Sequence, residues 1–99
     1  MRLSADQVQQ ELEGRTGWIL DGDAVRKEYL LADFASAIAF IVRIGFDAEA
    51  ADHHPDISLA RYKRVTVIFT THSAGGLTEK DFAGAAASDA IYASWTGKN

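Results

Sequence analysis

Histidine is scarce in this chain and unevenly placed: two of the three stand side by side in Ala51-Asp52-His53-His54-Pro55-Asp56, and His72 closes the run Thr70-Thr71-His72. An imidazole trades a proton near neutral pH and also ligates metals, so proton transfer, metal binding and packing are its open uses. Glu49 and Asp52 precede the pair, and Asp81 follows the third histidine. A cleft joining these segments would hold three imidazoles with two or three carboxylates, the composition of an acid/base site. Zinc competes with that reading, since three histidines and a carboxylate can complete a catalytic site. Against it, adjacent histidines usually point apart, and the i, i+4 histidine pair of the common helical zinc motif is missing. The structural alternative has His53 capping a helix C-terminus, where the helix dipole favours a cation, with His54 and His72 as satisfied polar residues.

The elements that must position these residues follow from periodicity and punctuation. Ser4 with Gln7 gives a capping-box pattern before a helix whose Val8 and Leu12 share a face, and Gly14 stops it. The stretch Trp18-Ile19-Leu20, the turn signal Asp21-Gly22-Asp23 and the alternating run 24–31, with Val25, Lys27, Tyr29 and Leu31 on one side, read as a β-hairpin. Asp33 can cap a long helix in which Phe34, Ile38, Ile41 and Gly45 form one helical stripe, widened by Phe40 and Ile44, so that the helix is apolar over more than one face. Pro55 disfavours helical backbone at His54, so that helix should end near Asp52 and leave the histidines at its exit.

The β-branched run that follows reads as a strand from residue 57, a break around Ala60 to Lys63, and a second strand from about Arg64 to Thr71. Ser73 to Gly76 form a loop, and Thr78 caps a last helix with Phe82, Ala86 and Ala90, or Tyr92 and Trp95, as core contacts. Gly75 and Gly76 are backbone punctuation, and the basic cluster Arg61-Tyr62-Lys63-Arg64 is the solvated end of a strand. Trp18 and Trp95 could stack on a flat ligand or fill the core. The order predicts an α+β domain: a four-stranded antiparallel sheet with three helices packed on one face. An open sheet edge and a helix apolar on more than one side point to a homo-oligomer.

Composition limits what such a domain can do. The 99 residues, 47% of them hydrophobic, are expected to make a single domain over 1–99. A net charge of −4 argues against direct nucleic-acid binding. With no cysteine, disulfides, thiolate metal sites and cysteine nucleophiles are excluded, which suits a reducing compartment. The polar N-terminus lacks a signal-peptide core, and no apolar run approaches a membrane span. A cytoplasmic protein without membrane attachment is the expectation.

One set of residues resembles a known signature. Glu49, His53-His54-Pro55, Tyr62, Val65, Thr71-His72, Gly76-Leu77-Thr78 and Asp81, with the flanking Gly17-Trp18 and the 33–44 segment, are similar in order and spacing to the pterin-4a-carbinolamine dehydratases. The resemblance covers about nine-tenths of the chain, from residue 10 onward. It implies removal of water from a 4a-hydroxytetrahydropterin to give the quinonoid dihydropterin. That reaction supports recycling of the cofactor used by aromatic amino-acid hydroxylases, and it needs no metal and no redox cofactor. It also implies the same four-stranded fold, assembled as a homodimer or homotetramer. An animal member also binds a homeodomain transcription factor, and some family-like proteins act as non-catalytic assembly or regulatory factors.

By matching positions, the resemblance makes His53 and His72 the acid/base pair with Glu49 orienting an imidazole. His54, Asp52, Asp81, Thr70, Thr71, Ser73 and Trp18 become candidate substrate contacts. The chain departs from the family pattern at Ile57, where an aromatic is common, and at Lys80, often an arginine.

Overall fold

A computed structural model describes residues 1–96 of the chain. Helix α1 (Ala5–Leu12) starts on a reciprocal cap in which the Ser4 hydroxyl accepts the Gln7 N–H at 3.1 Å and the Gln7 side chain accepts the Ser4 N–H at 2.8 Å. Strands β1 (Ile19–Asp21) and β2 (Ala24–Leu30) form the expected hairpin, with Gly22 at φ 61° supplying the left-handed turn position. Helix α2 (Phe34–Ala51) starts on Asp33, whose carboxylate accepts the Ser36 N–H at 2.8 Å. Hydrogen bonding from the Ser36 backbone, and then from its side chain, holds the Asp33 carboxyl below the usual carboxylate range. Strands β3 (Asp56–Ala60) and β4 (Arg64–Phe69), a single 3-10 turn at His72–Ala74 and helix α3 (Glu79–Thr96) complete the order.

The strands make one antiparallel sheet in the order β1-β2-β4-β3, leaving β1 and β3 as edges. Register places Tyr29 opposite Val65 and Leu59 opposite the same valine, so Val25, Tyr29, Val65, Val67 and Phe69 share one buried face. All three helices supply the other half of that core, through Val8 from α1, Phe40 and Ile44 from α2, and Phe82 and Ala85 from α3. This is the α+β arrangement that the element order predicts.

Packing selects one of the apolar faces of α2 and departs in part from the expected contacts of α3. In α2 the buried residues are Ala37, Phe40, Ile44 and Ala48, whereas Phe34 is 54% and Ile38 41% exposed. Ile41 is half-buried and Gly45 exposed. Both stripes are apolar at helical spacing, and the smaller Ala37 and Ala48 let α2 lie closer to its neighbours. In α3, Phe82 is buried as expected, but Ala85 and Ser88 accompany it while Ala86 and Ala90 face outward; Tyr92 does pack against the core. Strand β4 stops at Phe69, short of Thr71, which makes only an isolated bridge with Gly76.

Lys27 lies on the inner face of β2, and a cation there demands an anion. Asp89 of α3 provides it at 2.9 Å, while also accepting the Tyr29 hydroxyl at 2.6 Å and the Trp18 indole N–H at 3.0 Å. Burial first, and then the Asp89 hydrogen bond, push the Tyr29 hydroxyl well above the ordinary phenol range. A raised folded-state pKa means that this contribution to stability is full below the unfolded value of about 10 and is lost as pH rises above it. Tyr29→Phe should therefore cost about 1.5–3 kcal/mol at neutral pH, as expected for a hydrogen bond to a charged group. The gap from the parent protein should narrow in alkali, and denaturant titrations at pH 7 and above pH 10 measure both quantities.

Candidate active site

Helix α2 ends in a turn that aims His53. Asp52 adopts left-handed backbone at φ 53°, its N–H bonds the Glu49 carbonyl at 3.2 Å, and the His53 N–H bonds the Ala48 carbonyl at 3.1 Å. This paired closure satisfies the last carbonyls of the helix and folds the chain back beneath it. The backbone of His53, not its ring, therefore closes the helix. The ring is free to go elsewhere.

It goes to Asp81, with Nε2 2.6 Å from Oδ1. Asp81 is fully buried and stands three residues into the Thr78-x-x-Asp81 cap of α3. There Oδ2 accepts the Thr78 N–H at 2.9 Å, and Thr78 Oγ1 accepts the Lys80 N–H at 3.2 Å. The Thr71 hydroxyl donates to Oδ2 at 2.7 Å and lies 3.0 Å from the Thr78 hydroxyl. Asp81 Oδ2 thus returns to the Thr78 N–H as the acid of a capping box does, and the carboxylate oxygen left over holds the histidine. Oδ2 already accepts two donors, so an ionised Asp81 takes the His53 Nε2 proton at Oδ1, and in the neutral ring that tautomer leaves the lone pair on Nδ1. Among the described hydrogen bonds, Nδ1 has no partner.

Behind the imidazole lies Phe69, whose ring is nearly parallel to it at 13° with centroids 5.9 Å apart. Trp18 packs against Phe69 at 6.2 Å. A cavity of about 290 Å³ opens between α2 and α3, with His53 and Phe69 on one wall, Ala48, Ala83 and Gly84 on the helical walls, and Asp47 and Lys80 also lining it. A second concavity of about 400 Å³ includes Thr71, Ser73, Thr78 and Lys80. Lys80 thus lines both concavities.

The remaining expected site residues are spread around this cluster. Glu49 pairs with His54 at 2.9 Å, both exposed, rather than with His53. His72 is exposed and lines a third concavity of about 210 Å³ with Thr70, Asp23 and Ala24. Asp52 is exposed, and Trp18 is a core residue only 5% exposed. The structure therefore joins His53, Asp81 and Thr71, and does not place three imidazoles in one cavity. No group of three or more histidine, aspartate or glutamate side chains able to hold a metal ion occurs among the described residues. Nor is any helix there long and apolar enough to cross a membrane. Ile57 faces the core beside Val67.

Phe69 and Gly84 carry no signal in the sequence beyond apolar packing. Thr78-x-x-Asp81 does carry one, as a capping box.

Comparison with known proteins bears on what this arrangement does. A family model described as pterin 4 alpha carbinolamine dehydratase matches residues 1–91. A protein of Chloroflexus aurantiacus provisionally named pterin-4-alpha-carbinolamine dehydratase is 51% identical over 90 residues, covering 91% of this chain and 96% of its own. A Roseiflexus relative with the same provisional name is 52% identical over 81 residues, covering 82% and 86%. The crystal structure of a transcriptional coactivator/pterin dehydratase from Brucella melitensis superposes with a TM-score of 0.86 at 35% identity, covering 92% of this chain and 98% of that one. A pterin dehydratase-like RuBisCO assembly factor of the alpha-carboxysome shares the fold, with a TM-score of 0.61 at 21% identity over 75% of this chain and 84% of its own.

Proposed function

The chain belongs to the pterin 4 alpha carbinolamine dehydratase family, and from that premise we propose that it removes water from a 4a-hydroxytetrahydropterin by histidine acid/base catalysis. The observation that carries this reading is the buried Asp81 carboxylate 2.6 Å from His53 Nε2; in the proposed mechanism that contact makes Nε2 the donor and Nδ1 the acceptor. In the reaction the C4a–O bond breaks, N5 loses its proton, and a double bond forms between C4a and N5. Hydroxide leaves poorly, so its oxygen must be protonated as the bond breaks. In this proposal His53 Nδ1 takes the N5 proton and His72, which lines a separate concavity, protonates the departing oxygen of a substrate that spans the two; exchange with solvent then resets both rings. Thr71 acts through Asp81, while Thr70, Ser73, His54, Asp52 and Glu49 are proposed as substrate contacts by their positions in the family pattern. A positioned acid or base typically supplies about 10²–10⁴-fold.

The reading extends to assembly and setting. Phe34, Ile38, Val42 and Phe46, the last 75% exposed, run along the outer side of α2 at intervals of one helical turn. A continuous apolar stripe of this kind favours self-association, here as a homodimer or homotetramer. Acting in the cytoplasm, the enzyme would support tetrahydropterin recycling for an aromatic amino-acid hydroxylase. The same stripe favours a second reading, a non-catalytic interaction or assembly module.

One experiment separates the two readings. Loss of a synthetic 4a-hydroxytetrahydropterin is followed with and without the purified protein, whose mass in solution is measured alongside. Acceleration above the spontaneous rate by an oligomer is expected. A spontaneous rate at every protein concentration would displace the dehydratase reading in favour of the interaction module.

A further inference from the structure

We infer that Gly84 sets the attitude of the His53 imidazole through the ring of Phe69, so that both act as positioning residues; only the kinetic part of this inference rests on the proposed dehydration. Gly84 lies in the interior of α3 without the positive φ that would require glycine. Alanine would ordinarily serve a helix better there. Space supplies the reason. A Cβ at position 84 would fall 2.6 Å from Phe69 Cζ and 2.9 Å from Cδ1, closer than real Cβ contacts allow. Gly45, also inside a helix, has nothing within 4 Å of the same construction.

Phe69 is bounded by two rings and open only toward the cavity that it lines together with Gly84 and His53. It is 3% exposed, with the Trp18 ring 6.2 Å away and the His53 ring nearly parallel to it at 5.9 Å. A methyl group at 84 would therefore push the phenyl ring along or away from the imidazole. His53 is tied to Asp81 at one nitrogen, so a displaced neighbour tilts it about that bond and moves Nδ1. Small misplacements of a reacting group can cost on the order of 10²-fold in rate.

The test uses Gly84→Ala, Phe69→Leu and the double variant, read by turnover and by the ring-proton resonances of the histidines in the intact protein. Gly84→Ala is expected to shift the His53 ring signals, through the changed ring current of Phe69, and leave those of His54 and His72 in place. It should lower kcat on the order of tenfold to a hundredfold with KM little changed. Phe69→Leu should also move the His53 signals, and adding Gly84→Ala to it should change them little further, because the smaller side chain leaves the new methyl less to displace. Unmoved His53 signals in Gly84→Ala, or shifts that simply add in the double variant, would overturn the inference. The resonances report on positioning even if the protein dehydrates no pterin, so this failure is distinguishable from failure of the functional reading.

Discussion

His53→Ala is expected to lower turnover of a 4a-hydroxytetrahydropterin by about 10²–10⁴-fold while leaving far-UV circular dichroism and solution mass unchanged. The rate should fall because the variant loses the only imidazole that the fold delivers to a buried carboxylate among the described residues. The fold should survive because the helix end depends on the backbone N–H of residue 53, which bonds the Ala48 carbonyl and which alanine retains. His72→Ala makes the informative companion. If His72 is the acid, its loss should fall mainly on the step that expels the oxygen, and a substrate with a better leaving group in place of hydroxide should recover more of the rate with His72→Ala than with His53→Ala. Full rates in both variants would end the assignment of the two histidines as an acid/base pair.

Asp81 should show the second large effect, and two substitutions separate its duties. Asp81→Ala strips the acceptor from the Thr78 N–H, the Thr71 hydroxyl and His53 at once. Removing one member of a buried charged network typically costs about 3–5 kcal/mol, so a large loss of stability is expected in a urea titration. Asp81→Asn is subtler. Its amide oxygen can keep the Thr78 and Thr71 donors, preserving most of the helix cap, but its amide nitrogen then faces His53 Nε2. That nitrogen must become the acceptor, which puts the ring proton on Nδ1 and leaves no lone pair there to take a proton from substrate. A comparable tautomer reversal beside a catalytic histidine costs about 10⁴-fold. The asparagine variant should thus melt close to the parent and turn over far more slowly. Near-parental turnover would show that the Asp81 contact does not set a working tautomer.

Much of the architecture was legible where a local rule had one answer. Ser4 with Gln7, Asp33, Gly22 and Pro55 each fixed a boundary through a cap, a left-handed turn or a forbidden backbone region, and the elements appear where those residues place them. Faces were less legible. Periodicity shows that α2 is apolar over more than one face but cannot say which face meets the sheet, and the one that does is Ala37-Phe40-Ile44-Ala48. Lys27 was visible on an otherwise apolar strand side, yet Asp89 lies 62 residues away in sequence and nothing local connects them.

The site divides in the same way. Residue types flagged His53 and Asp81, and their spacing placed them at element ends. Their meeting depends on two backbone details, left-handed Asp52 and the Thr78 cap, which act over distances that a motif does not encode. Trp18 illustrates the opposite case. Its position beside the signature suggests a wall for a ligand, whereas it backs Phe69 inside the core, its indole N–H satisfied by Asp89.

The closing turn of α2 makes the helix a spacer of fixed length. Because one residue both finishes the helix and begins the site, lengthening or shortening α2 by a single position would swing the exit by about 100° and carry His53 off Asp81. Substitutions along the exposed side of this helix can accumulate freely as far as the site is concerned, but insertions and deletions within it cannot. Variation in chain length has to be absorbed outside α2.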